Sequence, residues 1–202
     1  MKKTGSALIL FLTSINIFAG SFFVNFLVIG SDKNAVESVV DKLNNNVIGI
    51  YDEYVPGHYV LCEKISEMRD TNYGLAICKI LSRKLSCPVL YTLVYDSDIL
   101  LLCLIENYSV TFSYNSWPGY WAGDEKTPKI KNLENFSSIF GADEKSIEDV
   151  LNLDYVFAED ILFGLSEIIE LPESIYYGYN YASQETSELE EYGFAIKVWE
   201  RK

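Results

Sequence analysis

Histidine is almost missing from this chain: His58 is the only one in 202 residues. That leaves no imidazole cluster to bind a transition metal or relay protons. Cationic side chains are scarce as well, with 16 Lys and Arg against 29 Asp and Glu and a formal net charge of −13. Nucleic-acid affinity rests on cations that neutralise phosphates, so a nucleic-acid partner is not expected. Several motifs are lacking. Without a G-x-S-x-G elbow there is no exposed serine nucleophile of the hydrolase kind, and without C-x-x-C there is no zinc clip or redox pair. One glycine in Gly30-Ser31-Asp32 falls short of the repeated glycines that bring a backbone against pyrophosphate. No EF-hand loop is present to supply the six or more oxygens that calcium takes. These absences leave no cofactor expected and no catalytic residue identified.

Apolar residues, by contrast, make up 49% of the chain and aromatics 14%. That is far above what a disordered chain carries, and the length suits one packed domain. After Met1-Lys2-Lys3 no charge occurs until Asp32. The apolar run Ala7–Phe18 followed by Ala19-Gly20-Ser21 has the form of a secretory signal, which implies an exported protein, periplasmic or secreted. Ile17 three positions before a cut at Ala19 fits the small-residue rule poorly. Two alternatives stay open: an uncleaved anchor that touches a membrane through residues 7–30, or an apolar extension of a cytoplasmic protein. The run's second half, Phe22–Ile29, reads as the first strand of a domain over residues 21–202.

The four cysteines, Cys62, Cys78, Cys87 and Cys103, permit three disulfide pairings. Cys78 on an apolar helix face and Cys103 inside an apolar strand read more simply as small buried hydrophobes.

Along the chain the patterns predict a helix over 34–43, capped by Asn34 with Glu37, strands at 47–51 and 59–62, and a helix over 71–85. Three strands follow at 89–95, 99–105 and 110–115, joined by short connections that imply an antiparallel meander. Ile99–Ile105 is apolar on both alternating faces, so helices should cover it on both sides. Helices are predicted at 133–140, 144–151 and 158–171, with a final strand at 193–199; the acidic run 185–191 reads as a solvated loop or frayed helix. The expected fold is α+β, a single domain with a largely antiparallel sheet flanked by helices.

Two segments are candidates for function. Asp96-Ser97-Asp98 joins two strands; its residue types favour a turn, although two carboxylates so placed can also act as acid and base or hold a hard cation. Tyr114-Asn115-Ser116-Trp117-Pro118-Gly119-Tyr120-Trp121 sets large rings around a Pro-Gly turn. Such rings bury much area at modest entropic cost and so suit a binding surface, or else fold back to cap the core. A second aromatic group lies at Tyr176, Tyr177, Tyr179 and Tyr181. His58, after a Pro-Gly turn, reads as a surface or capping residue. Asn107-Tyr108-Ser109 and Asn135-Phe136-Ser137 match the glycosylation acceptor pattern, which matters only in a eukaryotic secretory pathway.

Leu81-Ser82-Arg83-Lys84-Leu85 with Pro88-Val89-Leu90, then Asp96-Ser97-Asp98-Ile99-Leu100, the segment Tyr114–Tyr120, and Leu171-Pro172 with Gly178-Tyr179-Asn180-Tyr181 together resemble a family of mainly bacterial proteins of unknown function. The resemblance spans residues 22–200 and implies a shared architecture but no reaction. Residues 1–20 depart from it, since members begin near the first strand and look cytosolic.

The function these observations favour is a non-catalytic binding module with Tyr114, Asn115, Trp117, Tyr120, Trp121, Asp96 and Asp98 at its surface. Its acidity suits a basic protein partner, as an immunity-type inhibitor of a toxin would need. The alternative is a hydrolase or metal-binding enzyme that uses Asp96, Asp98 and Glu106.

Overall fold

The computed structural model describes residues 20–52, 55–68, 71–120, 123 and 126–201. Residues 1–19, which carry the signal-like run, lie outside the described residues, as does Trp121. Eight strands form one antiparallel sheet, with seven α-helices among the described residues, in a single-domain α+β fold.

The strands are β1 (Phe23–Ile29), β2 (Val47–Tyr51), β3 (His58–Glu63), β4 (Val89–Tyr95), β5 (Ile99–Glu106), β6 (Ser109–Asn115), β7 (Lys129–Lys131) and β8 (Ala195–Trp199). Their spatial order is β7-β6-β5-β4-β1-β3-β2-β8. The helices are α1 (Lys33–Leu43), α2 (Thr71–Leu85), α3 (Leu133–Phe140), α4 (Glu144–Leu151), α5 (Ala158–Ser166), α6 (Tyr179–Gln184) and α7 (Thr186–Glu191).

Two cores lie on opposite faces of the sheet. On one, Val36 and Val40 of α1 with Ile77, Cys78 and Leu81 of α2 pack on Val24, Phe26 and Val28 of β1. On the other, Phe136, Ile147, Leu151, Ile161, Leu165, Ala182 and Leu189 from α3 to α7 pack on Leu27, Leu102 and Leu104. Successive strand side chains point to opposite faces, so a strand between two helical layers is apolar at every position. All seven positions of β1 are buried for this reason. The same holds for β5, where Leu100, Leu102 and Leu104 face one core and Cys103 and Ile105 the other. β6 alternates instead, with Phe112 and Tyr114 inward and their neighbours partly exposed.

Some details differ from the sequence reading. The cap of α1 is Asp32, whose Oδ1 accepts from Ala35 N at 3.0 Å, and not Asn34. The helix expected over 158–171 ends at Ser166, since Glu167 and Glu170 put negative charge where the helix dipole is already negative. Its Gly164 lies tight against α4, where a Cβ would come within 2.9 Å of Val150. The acidic run forms α7, anchored by the buried Leu189. Strand β7 and helix α6 had no counterpart in the expectations. All four cysteines are free; Cys62, Cys78 and Cys103 are buried. No helix among the described residues is long and apolar enough to cross a membrane. Residues 23–29 are a central strand, so that half of the apolar run belongs to the sheet.

Candidate binding surface

The Asp96-Ser97-Asp98 segment turns the chain from β4 into β5. Asp96 and Ser97 have φ of 59° and 56°, and Asp98 N donates to Tyr95 O at 3.0 Å. Positive φ at both central positions is the pattern of the hairpin turn whose twist matches the strands, and a short Asp side chain tolerates it.

Ser97 is the buried member and ties three segments together. Its N–H donates to Ser21 O at 3.0 Å, and its Oγ accepts from Ser21 N at 2.7 Å. The same hydroxyl donates to Glu159 Oε1 at 2.9 Å, while Ser97 O accepts from Ala158 N at 2.7 Å. With Ser97 held inward, Asp96 and Asp98 are turned out and exposed. Tyr155 donates from its hydroxyl to Asp98 O at 3.2 Å, which brings the α4–α5 connection alongside the turn.

The exit from β6 arrives at the same place. Ser116 N donates to Leu100 O at 3.0 Å, and Leu100 N donates to Ser116 Oγ at 2.9 Å. Asn115 Oδ1 accepts from Trp117 N at 3.0 Å, a local turn that aims the following residues back over β4 and β5. The Trp117 and Tyr120 rings then meet edge to face at 5.0 Å, and Tyr120 meets Tyr95 at 5.8 Å. Phe22 continues the chain of rings against Tyr95 at 5.7 Å. Tyr120 donates to Asp98 Oδ2 at a long 3.5 Å. Partial desolvation, with Asp98 and Asp96 beside it, raises the phenol's pKa. Lys126 sets its ammonium 4.4 Å above the Trp117 ring. A cation is attracted to the negative face of an indole, and this ring already carries one.

The seven sequence candidates therefore separate. Asp96, Asp98, Trp117 and Tyr120 come together at one end of the sheet, the last two half-buried. Asn115 shapes the loop from within. Tyr114 leaves the candidate surface: it is fully buried on the inward face of β6 and donates its hydroxyl to Leu151 O at 2.9 Å. Burial pushes that phenol's pKa up. Trp121 lies outside the described residues.

The structure adds residues that the sequence reading passed over. Leu153, Val156 and Phe157, in the connection that Tyr155 ties to Asp98, are 53%, 78% and 52% exposed. Their signal was an apolar pair, Val156-Phe157, standing in what reads as a loop. Asp154 and Asp160, both exposed, border them. Exposed apolar side chains and carboxylates of this connection thus flank the Asp96–Asp98 turn, to which Tyr155 and Ala158 bond.

Of the three carboxylates in the enzymatic alternative, Asp96 and Asp98 share the turn and Glu106 does not join them. Glu106 ends β5 and Asp98 precedes its start, so eight steps of extended strand, about 26 Å, separate them. His58 opens β3 opposite Ile29, at the far end of β1 from the Asp96–Asp98 turn, and its Nδ1 lies 3.4 Å from Pro56 O. No group of three His, Cys, Asp or Glu residues capable of holding a metal occurs among the described residues. Two clefts, of about 370 and 310 Å³, open beside α1 and the β2–β8 side of the sheet. Neither includes Asp96 or Asp98.

A second polar feature lies between β3 and the carboxy-terminal segment. Glu67, 7% exposed in a 3₁₀ turn at Ser66–Met68, accepts from Asn180 N at 2.9 Å through Oε2, while its buried Oε1 has no hydrogen-bond partner. Desolvation outweighs the backbone donors and raises this carboxyl from 4.5 to about 7, with a smaller push from the Glu63 charge. Glu63, also buried, accepts from Ser66 N and Ser66 Oγ, each at 2.8 Å. No sequence signal marked Glu67, since Ser66-Glu67 looks like any polar loop.

No family model, curated protein or solved structure matches the chain. The resemblance drawn above stands on its residues alone.

Proposed function

We propose that this chain is a non-catalytic binding module that takes a basic protein partner at the sheet end formed by Trp117, Tyr120, Asp96, Asp98 and the 153–157 connection. The supporting observation is a convergence. Three segments distant in sequence bring half-buried rings, the exposed apolar side chains of 153–157 and outward carboxylates to one end of the sheet, and the Tyr120–Asp98 hydrogen bond links ring and carboxylate. Exposed apolar patches rimmed by polar groups mark interaction sites. Aromatic anchors give affinity at such a site, while carboxylates steer a basic partner into it. The net charge of −13 acts in the same sense at longer range. An immunity-type inhibitor, which neutralises a basic toxin by covering it, is the specific form of this reading. Export by residues 1–20 belongs to it, and fractionation of the source cells checks that part.

The test is capture on the immobilised chain at low and high salt. Trp117→Ala with Tyr120→Ala should abolish capture of the basic partner. Asp96→Asn with Asp98→Asn should slow association and flatten its salt dependence. Capture that survives both pairs of changes would remove the proposal.

A further inference from the structure

Near its carboxy-terminal end the chain crosses one face of the sheet as a thin strap, residues 172–184. The strap holds only a 3₁₀ turn, Glu173–Tyr176, and the six-residue helix α6. Pieces this short are not stable without tertiary contacts. Ile175, Tyr177 and Ala182 bury their side chains in the same core as Phe23, Leu27, Val60 and Cys62. Three polar fasteners hold the strap's backbone to the sheet. Asn25 Nδ2 of β1 donates to Ile175 O at 2.7 Å and to Tyr177 O at 3.0 Å. Cys62 Sγ of β3 donates to Tyr177 O at 3.4 Å. Glu67 Oε2 accepts from Asn180 N at 2.9 Å, with Tyr179 N and Val24 N close enough to favour its charged form.

The third fastener is a carboxyl, and one of its oxygens is sealed. A Cβ on Gly178 would stand 1.9 Å from Glu67 Oε1 and 2.7 Å from Phe23 Cβ, so Oε1 rests directly on the strap, buried and without a donor. Among the described residues Glu67 has no ion pair. Facing it are Glu63 and Cys62 of β3 and Tyr179 of α6, while β1 contributes Phe23 and Val24, which carry no charge. Tyr73 of α2 and Glu200 beyond β8 act one step further out, on Glu63 and on Tyr179. Burial raises the pKa of both Cys62 and Tyr179, which keeps them neutral through the range considered, and Glu63 adds only like charge. A charge on the sealed oxygen therefore gains from any motion that lifts the strap and admits water.

We propose that residues 172–184 are a pH-sensitive strap, closed over Cys62 while Glu67 carries its proton and opening more often once that carboxyl ionises. The closed form binds the proton more tightly than the open one. Closure is thus strongest below about pH 4.5 and weakens as pH rises to about 7, the value to which burial lifts the carboxyl. The open form stays a minority, because the strap's apolar side chains still favour the core, and what changes is the opening frequency. Cys62 reports it, since its thiol lies under Tyr177, whereas Cys78 and Cys103 sit in the core on the opposite face. Nothing in this depends on the partner surface at Trp117 and Tyr120.

Dithiodipyridine labels thiols in acid as well as neutral solution, so the full chain can be labelled from pH 4.5 to 8 and each cysteine followed by peptide mass. The reagent is kept dilute, so that closing outruns labelling. Dividing by the rate in the urea-unfolded chain at the same pH gives a protection factor free of the thiol's own titration. Cys62 protection should fall about five- to thirtyfold across that range in the wild type and stay level in Glu67→Gln. Below ~1 M urea, Cys62 labelling should hold nearly constant, because lifting the strap exposes little surface; Cys78 labelling should climb with the slope of global unfolding. Should Glu67→Gln fold poorly, the wild type carries the test alone, through protection that falls with pH at a flat urea slope. Labelling of Cys62 and Cys78 in step, with equal urea slopes, would overturn the proposal. So would Cys62 protection that is level or rises with pH in the wild type, or that falls equally in Glu67→Gln.

Discussion

Glu67→Gln tests whether burial or hydrogen bonding governs the carboxyl beneath α6. In the native protein this group sits at about 7 against an ordinary 4.5, with desolvation the largest cause. A native pKa above the unfolded one means that the folded state binds the proton more tightly. The resulting stability is complete below about pH 4.5 and is lost as pH rises through about 7. The whole difference corresponds to about 3 kcal/mol as an upper bound, and relaxation of the surroundings around the charged form brings the expected effect to about 1–2 kcal/mol. Glutamine keeps an oxygen that can accept from Asn180 N but carries no charge at any pH. Urea unfolding of both proteins from pH 4.5 to 8.5 is the assay. The variant should match the wild type at the acid end and exceed it by about 1–2 kcal/mol at pH 8. His58 is present in both proteins, so the difference between them isolates Glu67. If Glu67→Gln were less stable at pH 8, the ionised carboxylate would be serving as a favourable cap, and the argument from desolvation would fail.

Four further outcomes are expected. Tyr114→Phe leaves the buried Leu151 carbonyl without its donor and should cost about 1 kcal/mol in the same urea assay. Gly178→Ala places a Cβ 1.9 Å from Glu67 Oε1 and 2.7 Å from Phe23 Cβ, so a loss of about 2–3 kcal/mol is expected from overpacking. A thiol reagent should count four free cysteines after unfolding without reductant. In the native state it should react first at the half-buried Cys87, because burial pushes the Cys62 and Cys78 thiols well up and Cys103 to about 11. Expression through a eukaryotic secretory pathway should add a glycan at Asn107, in its exposed turn, and none at Asn135, whose Nδ2 is bonded to Thr111 O at 2.9 Å; intact mass decides.

Much of the fold was legible because local rules wrote it. In α2, α3 and α4 the apolar periodicity and end residues mark the observed bounds, since amphipathic spacing and terminators act within a few turns. The two-faced apolarity of β5 told of helices on both sides. The turn at Asp96-Ser97-Asp98 followed from residue types alone, as did the ring-rich exit from β6, whereas the outward placement of the two carboxylates came from the bonds that hold Ser97 inward. Pattern failed where a residue's setting is made by distant chain. Tyr114 and Trp117 look alike as neighbouring aromatics, yet strand alternation and α4 bury the first while the turn at Asn115 keeps the second half-exposed.

The sequence by itself determined most of the helices and strands, β7 and α6 apart, which faces are apolar, and that the molecule is acidic with almost no imidazole. Tertiary structure decided that β1 lies between β3 and β4, that β8 returns to β2, that the 153–157 connection joins the aromatic loop at Asp98, and that Glu67 is buried. Local propensity carries no information about which strand edges pair across a hundred residues. Those choices come from burying two core faces at once while satisfying the backbone hydrogen bonds between them.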